Sequence, residues 1–321
     1  FYSSNNADSK SLAMSIQDSS KLLQTDNKRV IKDGNSTIYL LEKLEMPSVL
    51  IECGFISNKK EIDSVVPNKC YAAWSLDSQD RSTSSSGGAA SVFSTIITSA
   101  GGVVYGAVVS KGANIHHARI DNANDLYRLK GSKYVQSHIG DMYKSVLKDL
   151  KQNLIVLFIG TPCQIAGLKG FLRKPYSNLI TIDLICHGVP NQKLLHEHIS
   201  NQTALCAVDN VSFRGVEEWA LSIVSNKKIK YKCEFPKDKY LTGFMYGLFY
   251  RPSCYQCKYA GGSRISDLTI GDFWGLGKEV PFNYPKEKVS VILVNTSVGA
   301  NLLSKCSDSL FLVERTVEEA V

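Results

Sequence analysis

No apolar run in the 321 residues approaches the length of a bilayer span, and no secretory leader is visible. The expectation is a cytoplasmic protein with no membrane span. No internal repeat is present. Charge of one sign is not concentrated either. The formal net charge is +7, and the lysines are scattered, as in Lys227-Lys228-Ile229-Lys230-Tyr231-Lys232, which reads as a solvated hairpin. That pattern speaks against a nucleic-acid partner, although a mild positive excess suits anionic cofactors such as nucleotides. The nine cysteines are an odd number and lack the spacing of a small secreted disulfide scaffold. Residues 1–66 contain no histidine at all. The chain starts at Phe1 rather than methionine, which reads as a fragment edge.

What is present is a soluble composition, 44% hydrophobic and 21% charged, long enough for two units. Its strongest feature is a set of four cysteines in three short signatures. These are Gly160-Thr161-Pro162-Cys163, Cys186-His187-Gly188 and Cys254-Tyr255-Gln256-Cys257. Four thiolates are the number a 4Fe–4S cluster needs. Thr161 suits an N-cap, Pro162 the first helical position, and Gln164 a capping box. Cys163 then lies in a first helical turn, where free amides and the dipole favour a thiolate. Alone it is equally a nucleophile or a packing residue. Cys186 ends an apolar run, Leu179 to Ile185, and His187 beside it is a candidate proton donor, a hydrogen-bond partner or a turn former. The i, i+3 pair Cys254 and Cys257 lets two sulfurs reach one metal; a redox dithiol and a structural zinc site are its rivals. Cys53, Cys206, Cys233 and Cys306 read as small buried hydrophobes. Cys70 reads as a loop residue ahead of the larger unit, with its role open.

Character changes near Val66-Pro67, which divides the chain into 1–66 and 67–321. Beyond that point strands alternate with helices, as in an α/β sheet. Ala89, Val92, Phe93, Ile96, Ile97 and Ala100 mark one helical face. Leu154 to Ile159 and Leu179 to Ile185 suit strands buried on both faces. Strands are also expected at 103–109, 221–224, 229–235, 268–271 and 289–295. Ser85-Ser86-Gly87-Gly88 opens a helix and can cradle a pyrophosphate. Lys130-Gly131-Ser132-Lys133-Tyr134 offers two lysines for a phosphate and an aromatic to cover a ring. A linker and a solvated loop are the rivals for these two segments. Arg264, Asp267, Asp272, Phe273 and Trp274 are read as structural, with the two aromatics near a cofactor. His196 and His198 are not expected to be ligands.

Residues 1–66 resemble the C-terminal end of the zinc-dependent N-acetylmuramoyl-L-alanine amidases. The resemblance rests on Asn27-Lys28-Arg29-Val30-Ile31-Lys32 and on Met46-Pro47-Ser48-Val49-Leu50-Ile51-Glu52-Cys53-Gly54-Phe55. It implies that Glu52 stands where a glutamate assists a zinc-bound water. The zinc ligands of that family lie upstream of this segment, so Glu52 is expected to be the remnant of a hydrolase site. Zinc enters only if that site were completed.

From about residue 67 onward the chain resembles the coenzyme F-420 hydrogenase/dehydrogenase beta subunit family. The matching segments are Ser85-Ser86-Gly87-Gly88, Gly101-Gly102-Val103-Val104-Tyr105-Gly106-Ala107, Lys130-Gly131-Ser132-Lys133-Tyr134, the three cysteine signatures, and Gly271-Asp272-Phe273-Trp274-Gly275. The resemblance implies an α/β flavin-binding module with a mixed or parallel sheet and an Fe–S loop region. It implies a flavoprotein oxidoreductase passing electrons between a metal-bound 4Fe–4S cluster, held by Cys163, Cys186, Cys254 and Cys257, and FAD. A deazaflavin coenzyme, another small acceptor, or a ferredoxin-like or hydrogenase-like protein is the implied partner. A homo-oligomer is compatible with this reading.

Overall fold

The computed structural model describes residues 2–23, 30–33, 65–215, 218–278 and 280–320. Two compact units divide the chain, Phe1–Asn58 and Lys59–Val321. In the first, the helix Ala7–Leu23 buries Ser9 and Ala13, and Tyr2 pairs with Asp33 in an isolated bridge. Glu52 and Cys53 lie outside the described residues.

The second unit is built on an eight-stranded mixed sheet. Its strands are β1 (Lys69–Ser75), β2 (Val103–Ser110), β3 (Asn114–Ile120), β4 (Val156–Gly160), β5 (Leu179–Leu184), β9 (Leu268–Asp272), β10 (Ser290–Val294) and β11 (Leu310–Arg315), in the spatial order β11-β1-β10-β9-β5-β4-β2-β3. The run β2-β4-β5-β9 is parallel, and antiparallel strands complete both sides. Alternation explains why its strands read as continuous apolar runs. Val104, Leu157 and Ile182 join one core with the helices Ala89–Ser99 and Ser297–Ser304. Val103, Tyr105, Val156 and Phe158 join another with the helices Met142–Lys151 and Pro162–Leu172. A sheet covered on both faces needs apolar side chains in both phases.

The expected strands are found with ends shifted by a residue or two. A separate antiparallel sheet joins β6 (Val208–Ser212), β7 (Ala220–Ser225) and β8 (Lys228–Glu234). Asn226 and Lys227 both take positive φ between β7 and β8, as a two-residue type I′ hairpin turn requires. The lysine-rich stretch is therefore the hairpin expected. Behind this sheet Asp238 caps the helix Lys239–Met245 through the Leu241 amide, 2.7 Å away. The same carboxylate accepts from Tyr231 Oη at 2.8 Å and faces His198 Nε2 at 3.0 Å.

Three cysteine expectations need correction. Cys70 lies in β1, not in a loop, and is buried; burial pushes its thiol up to about 12. Cys206 is exposed, because it sits in the short 3-10 turn Leu205–Ala207 that leads into β6. Cys233 is only half-buried and Ile229 is 65% exposed, since β8 is the outer strand of a small sheet with one covered face. Cys306 is buried as expected.

Candidate functional site at the carboxyl edge of the sheet

Two of the cysteine loops leave neighbouring parallel strands in step. Gly160 of β4 is in register with Asp183 of β5. Cys163 and Cys186 each follow three residues later, so both emerge at one carboxyl edge. Open α/β sheets place ligands in the crevices there. The Thr161–Gln164 capping box forms as read, with Gln164 Oε1 accepting from the Thr161 amide at 3.0 Å. The third loop is tied to the same edge. Arg251 donates its amide to Val189 O at 3.0 Å, and Cys254 Sγ reaches that oxygen at 3.9 Å. The short helix Pro252–Tyr255 then turns Cys257 back toward Cys254.

The thiols sense one another. Burial pushes Cys186 up to about 12, and the charges of Cys163, Cys254 and Cys257 add to the effect. Cys163 is also raised, first by the protein packed around it and then by Cys257 and Cys254, although its residue surface opens to solvent at the rim. This corrects the expectation that the helix start would favour a Cys163 thiolate. The Thr161 hydroxyl, 3.1 Å from Sγ, and Arg251 only partly offset the rise. Among the described residues no three His, Cys, Asp or Glu side chains are grouped so as to hold a metal ion. A tetrahedral zinc with bonds of about 2.3 Å would need its four sulfurs roughly 3.8 Å apart. The thiols lie within electrostatic reach of one another, and a cubane, whose irons occupy separate corners, spreads its four sulfurs more widely than a single zinc does.

His187 stands over this edge. Tyr250 Oη donates to Phe244 O at 2.6 Å and contacts His187 Nδ1. The phenol has one proton, so His187 donates from Nδ1 and leaves Nε2 as an acceptor. Burial keeps the ring below its usual range. Gly188 makes room for Tyr250: its φ is +137°, and a Cβ there would stand 2.2 Å from Tyr250 Cδ2. Gly188→Ala is expected to cost ~1–3 kcal/mol for the backbone alone. The check is a lowered midpoint in thermal unfolding together with altered fluorescence of the aromatic cluster.

The two loops read as phosphate cradles are joined. Ser132 donates its amide to Ser85 Oγ at 2.8 Å, and Lys130 Nζ bonds Asp80 at 2.6 Å and Thr83 at 2.7 Å. Most polar groups of 84–88 are engaged internally. Ser86 Oγ donates to Val289 O, and the Gly87 amide donates to Ser290 Oγ. Gly87 is required for close approach, because a Cβ would meet Ala73 O at 2.2 Å. The following helix starts at Gly88 with no side-chain cap, which leaves its first amides to an outside acceptor. Lys133 is the unusual member. Its ammonium donates to Leu129 O and Lys130 O, both at 2.9 Å, and burial lowers it to about 7. Tyr134 stacks nearly parallel on Phe244, with ring centroids 4.5 Å apart, and on Trp219, 5.7 Å apart.

Several neighbours escaped the sequence reading. Tyr250 carried no motif signal. Asp183, a carboxylate inside an apolar strand run, was a signal that could have been followed; it pairs with Arg264 at 2.8 Å. Arg214 pairs with Asp272 at 2.6 Å and lies over Trp219. Asp267 binds Thr181 and Thr296, in line with a structural role. Phe273 packs with Cys70 and Trp74, whereas Trp274 is 66% exposed and leans on Trp219. A pocket of about 380 Å3 lies on the small sheet, lined by Ser212, Glu218, Ser222 and Lys232 among others and by none of the cysteines.

A mixed eight-stranded sheet flanked by helices, with cysteine loops at its carboxyl edge, defines an α/β protein. The family model for the C terminus of the coenzyme F420 hydrogenase/dehydrogenase beta subunit matches residues 155–320, and the chain belongs to that family, an oxidoreductase family. A second family model, N-acetylmuramoyl-L-alanine amidase, matches residues 1–73. A solved structure titled as a xenon derivatization of the F420-reducing [NiFe] hydrogenase complex from Methanosarcina barkeri contains a chain of similar fold. It has a TM-score of 0.54 and 16% identity, and the match covers 78% of this chain and 82% of that one. No curated protein matches. No helix among the described residues is long and apolar enough to cross a membrane.

Proposed function

We propose that this chain is a cytoplasmic flavin- and iron–sulfur-dependent oxidoreductase. In this reading Cys163, Cys186, Cys254 and Cys257 hold a 4Fe–4S cluster, and Ser85–Gly88 with Lys130–Tyr134 hold FAD. One observation supports it above the others: thiols from three separated segments lie at one sheet edge and raise one another's proton affinity. Buried thiols of that kind are relieved by a cationic metal centre, which binds them as thiolates. When bound, the cluster supplies one-electron transfer and the flavin supplies hydride exchange with a deazaflavin or another acceptor.

The chain's own residues do the positioning. Lys133 offers an ammonium whose two internal partners are neutral carbonyls, so an anionic phosphate would complete its shell. Ser132 and Ser85 keep the two loops together. Tyr134 stacks on Phe244, and the His187 ring packs against Phe244 at a tilt, which links the lysine loop to the Cys186 loop. A hydrogenase-like or ferredoxin-like protein is the proposed partner. Residues 67–321 form the redox domain, and 1–66 are an amidase-derived piece. That piece holds no histidine, and no hydrolase activity is proposed for it.

The test is anaerobic purification followed by iron, sulfide and flavin analysis. About four irons and four sulfides per chain, with one released flavin, are expected. A protein that takes up neither cluster nor flavin after anaerobic reconstitution overturns the reading.

A further inference from the structure

Beneath the cysteine edge lies a buried polar clamp in the middle of the sheet. Asp183 has no exposed surface, and Arg264 is 7% exposed. Arg264 makes contacts in four directions. One terminal nitrogen, Nη2, donates to Asp183 Oδ1 at 2.8 Å and to Leu184 O at 3.3 Å. Nε donates to Thr269 Oγ1 at 3.1 Å, and Nη1 reaches Gly261 O at 3.4 Å. Its backbone pairs with Val65 in both directions, at 2.7 and 2.8 Å. Asn295, the residue after β10, donates from Nδ2 to Thr269 Oγ1 at 3.0 Å. The other oxygen of Asp183, Oδ2, is buried without a partner.

The contacts fall at telling places. Leu184 and Asp183 are the stem of the loop that carries Cys186. Gly261 and Arg264 are the stem of the loop that returns from Cys254 and Cys257. Across the sheet Asp183 faces Gly160, the root of the Cys163 loop. One guanidinium therefore ties the stems of two cysteine loops at a point in register with the third. A buried ion pair with an unsatisfied carboxylate oxygen is costly compared with apolar packing, so stability alone is a poor account of it.

We propose that Arg264 is a positioning residue, oriented by Asp183, that sets the separation between the Cys186 loop and the Cys254–Cys257 loop. The inference rests on the cluster reading above. Arg264 acts through the loop stems and touches no reacting atom. A lysine keeps the charge, but it cannot bond Asp183, Leu184, Thr269 and Gly261 from one planar group. Loss of the clamp lets the stems drift, which loosens the grip on the cluster and changes the cluster's surroundings.

The experiment compares full-length wild type with Arg264→Lys after anaerobic reconstitution. Three readouts are taken: thermal midpoint, the rate of bleaching by an iron chelator, and the electron paramagnetic resonance spectrum of the reduced cluster. The variant should fold, bleach about tenfold faster or more, and give a shifted spectrum. If Arg264→Lys does not fold, the isosteric Asp183→Asn is read in the same way. A folded variant with the wild-type bleaching rate and an unchanged spectrum overturns the proposal. Wild type that takes up no iron defeats the cluster reading itself, and this inference with it. Loaded wild type beside an indistinguishable variant defeats the clamp alone.

Discussion

Cys186→Ser should strip the reconstituted protein of the proposed cluster, with iron and sulfide content falling roughly tenfold or more, whereas Cys206→Ser should leave both unchanged. The contrast follows from position. Cys186 lies at the shared edge among three other thiols, and Cys206 is exposed on a short turn beside the small sheet. A serine hydroxyl is a harder ligand than a thiolate and gives up its proton far less readily. Proton bookkeeping gives a second reading of the same site. Cys186 holds its proton up to about 12, so loading the site at neutral pH must release protons. Iron uptake should therefore weaken as pH falls, measured by reconstitution across a pH series. The metal-free protein runs the other way. The folded state keeps a proton that the unfolded thiol loses near 9, so stability should fall as pH rises from about 9 toward 12. Full iron and sulfide in Cys186→Ser would remove this residue from the ligand set.

How much of this was legible in the sequence depends on the range of the signal. The capping box at Thr161 and Gln164 is local, and it formed as read. The hairpin around Lys227 and the amphipathic helix Ala89–Ser99 were legible for the same reason, although the turn residues Asn226 and Lys227 were not singled out. The convergence of Cys163 and Cys186 depended on β4 and β5 being neighbours, which periodicity cannot supply; their parallel register settles it. The docking of Arg251 on Val189 is a contact between segments some sixty residues apart and left no trace in either motif. The Cys163 dipole argument failed because desolvation and like charges outweigh a helix start, whose effect is about 0.3–1 kcal/mol at most exposed sites. Cys233 and Ile229 mislead because an apolar residue type does not secure burial in a sheet too small to cover both faces. Arg264 stands in the sequence as one polar residue among several, since its partner lies in a strand eighty-one positions away.

Lys133→Met should do two opposite things at once, raising the stability of the flavin-free protein near pH 6.5 and weakening FAD binding. The ammonium falls from its usual 10.5 to about 7 through burial. Below about 7 both folded and unfolded chains hold the proton, and the folded chain bears the full cost of the buried charge. Between about 7 and 10.5 only the unfolded lysine stays charged, so stability of the free protein should climb with pH across that window. Against this stand two hydrogen bonds to Leu129 O and Lys130 O, worth about 1 kcal/mol each. The depression outweighs them, even discounted for the part of Lys133 that solvent reaches. Methionine keeps the apolar stem and removes the charge, so the thermal midpoint at pH 6.5 should rise. Binding should move the other way. A phosphate beside the ammonium restores its charge, and a charge-assisted bond of about 1.5–3 kcal/mol makes the loss roughly ten- to a hundredfold in affinity. Flavin binding to wild type at pH 8 should take up a proton, visible as a buffer-dependent heat in calorimetry, and the methionine variant should show no such uptake. A variant that binds FAD as tightly as wild type would remove Lys133 from the cofactor loop. A variant that melts earlier at pH 6.5 would show that the lysine is an anchor of the 3-10 turn Ala123–Leu129 and carries no stored cost.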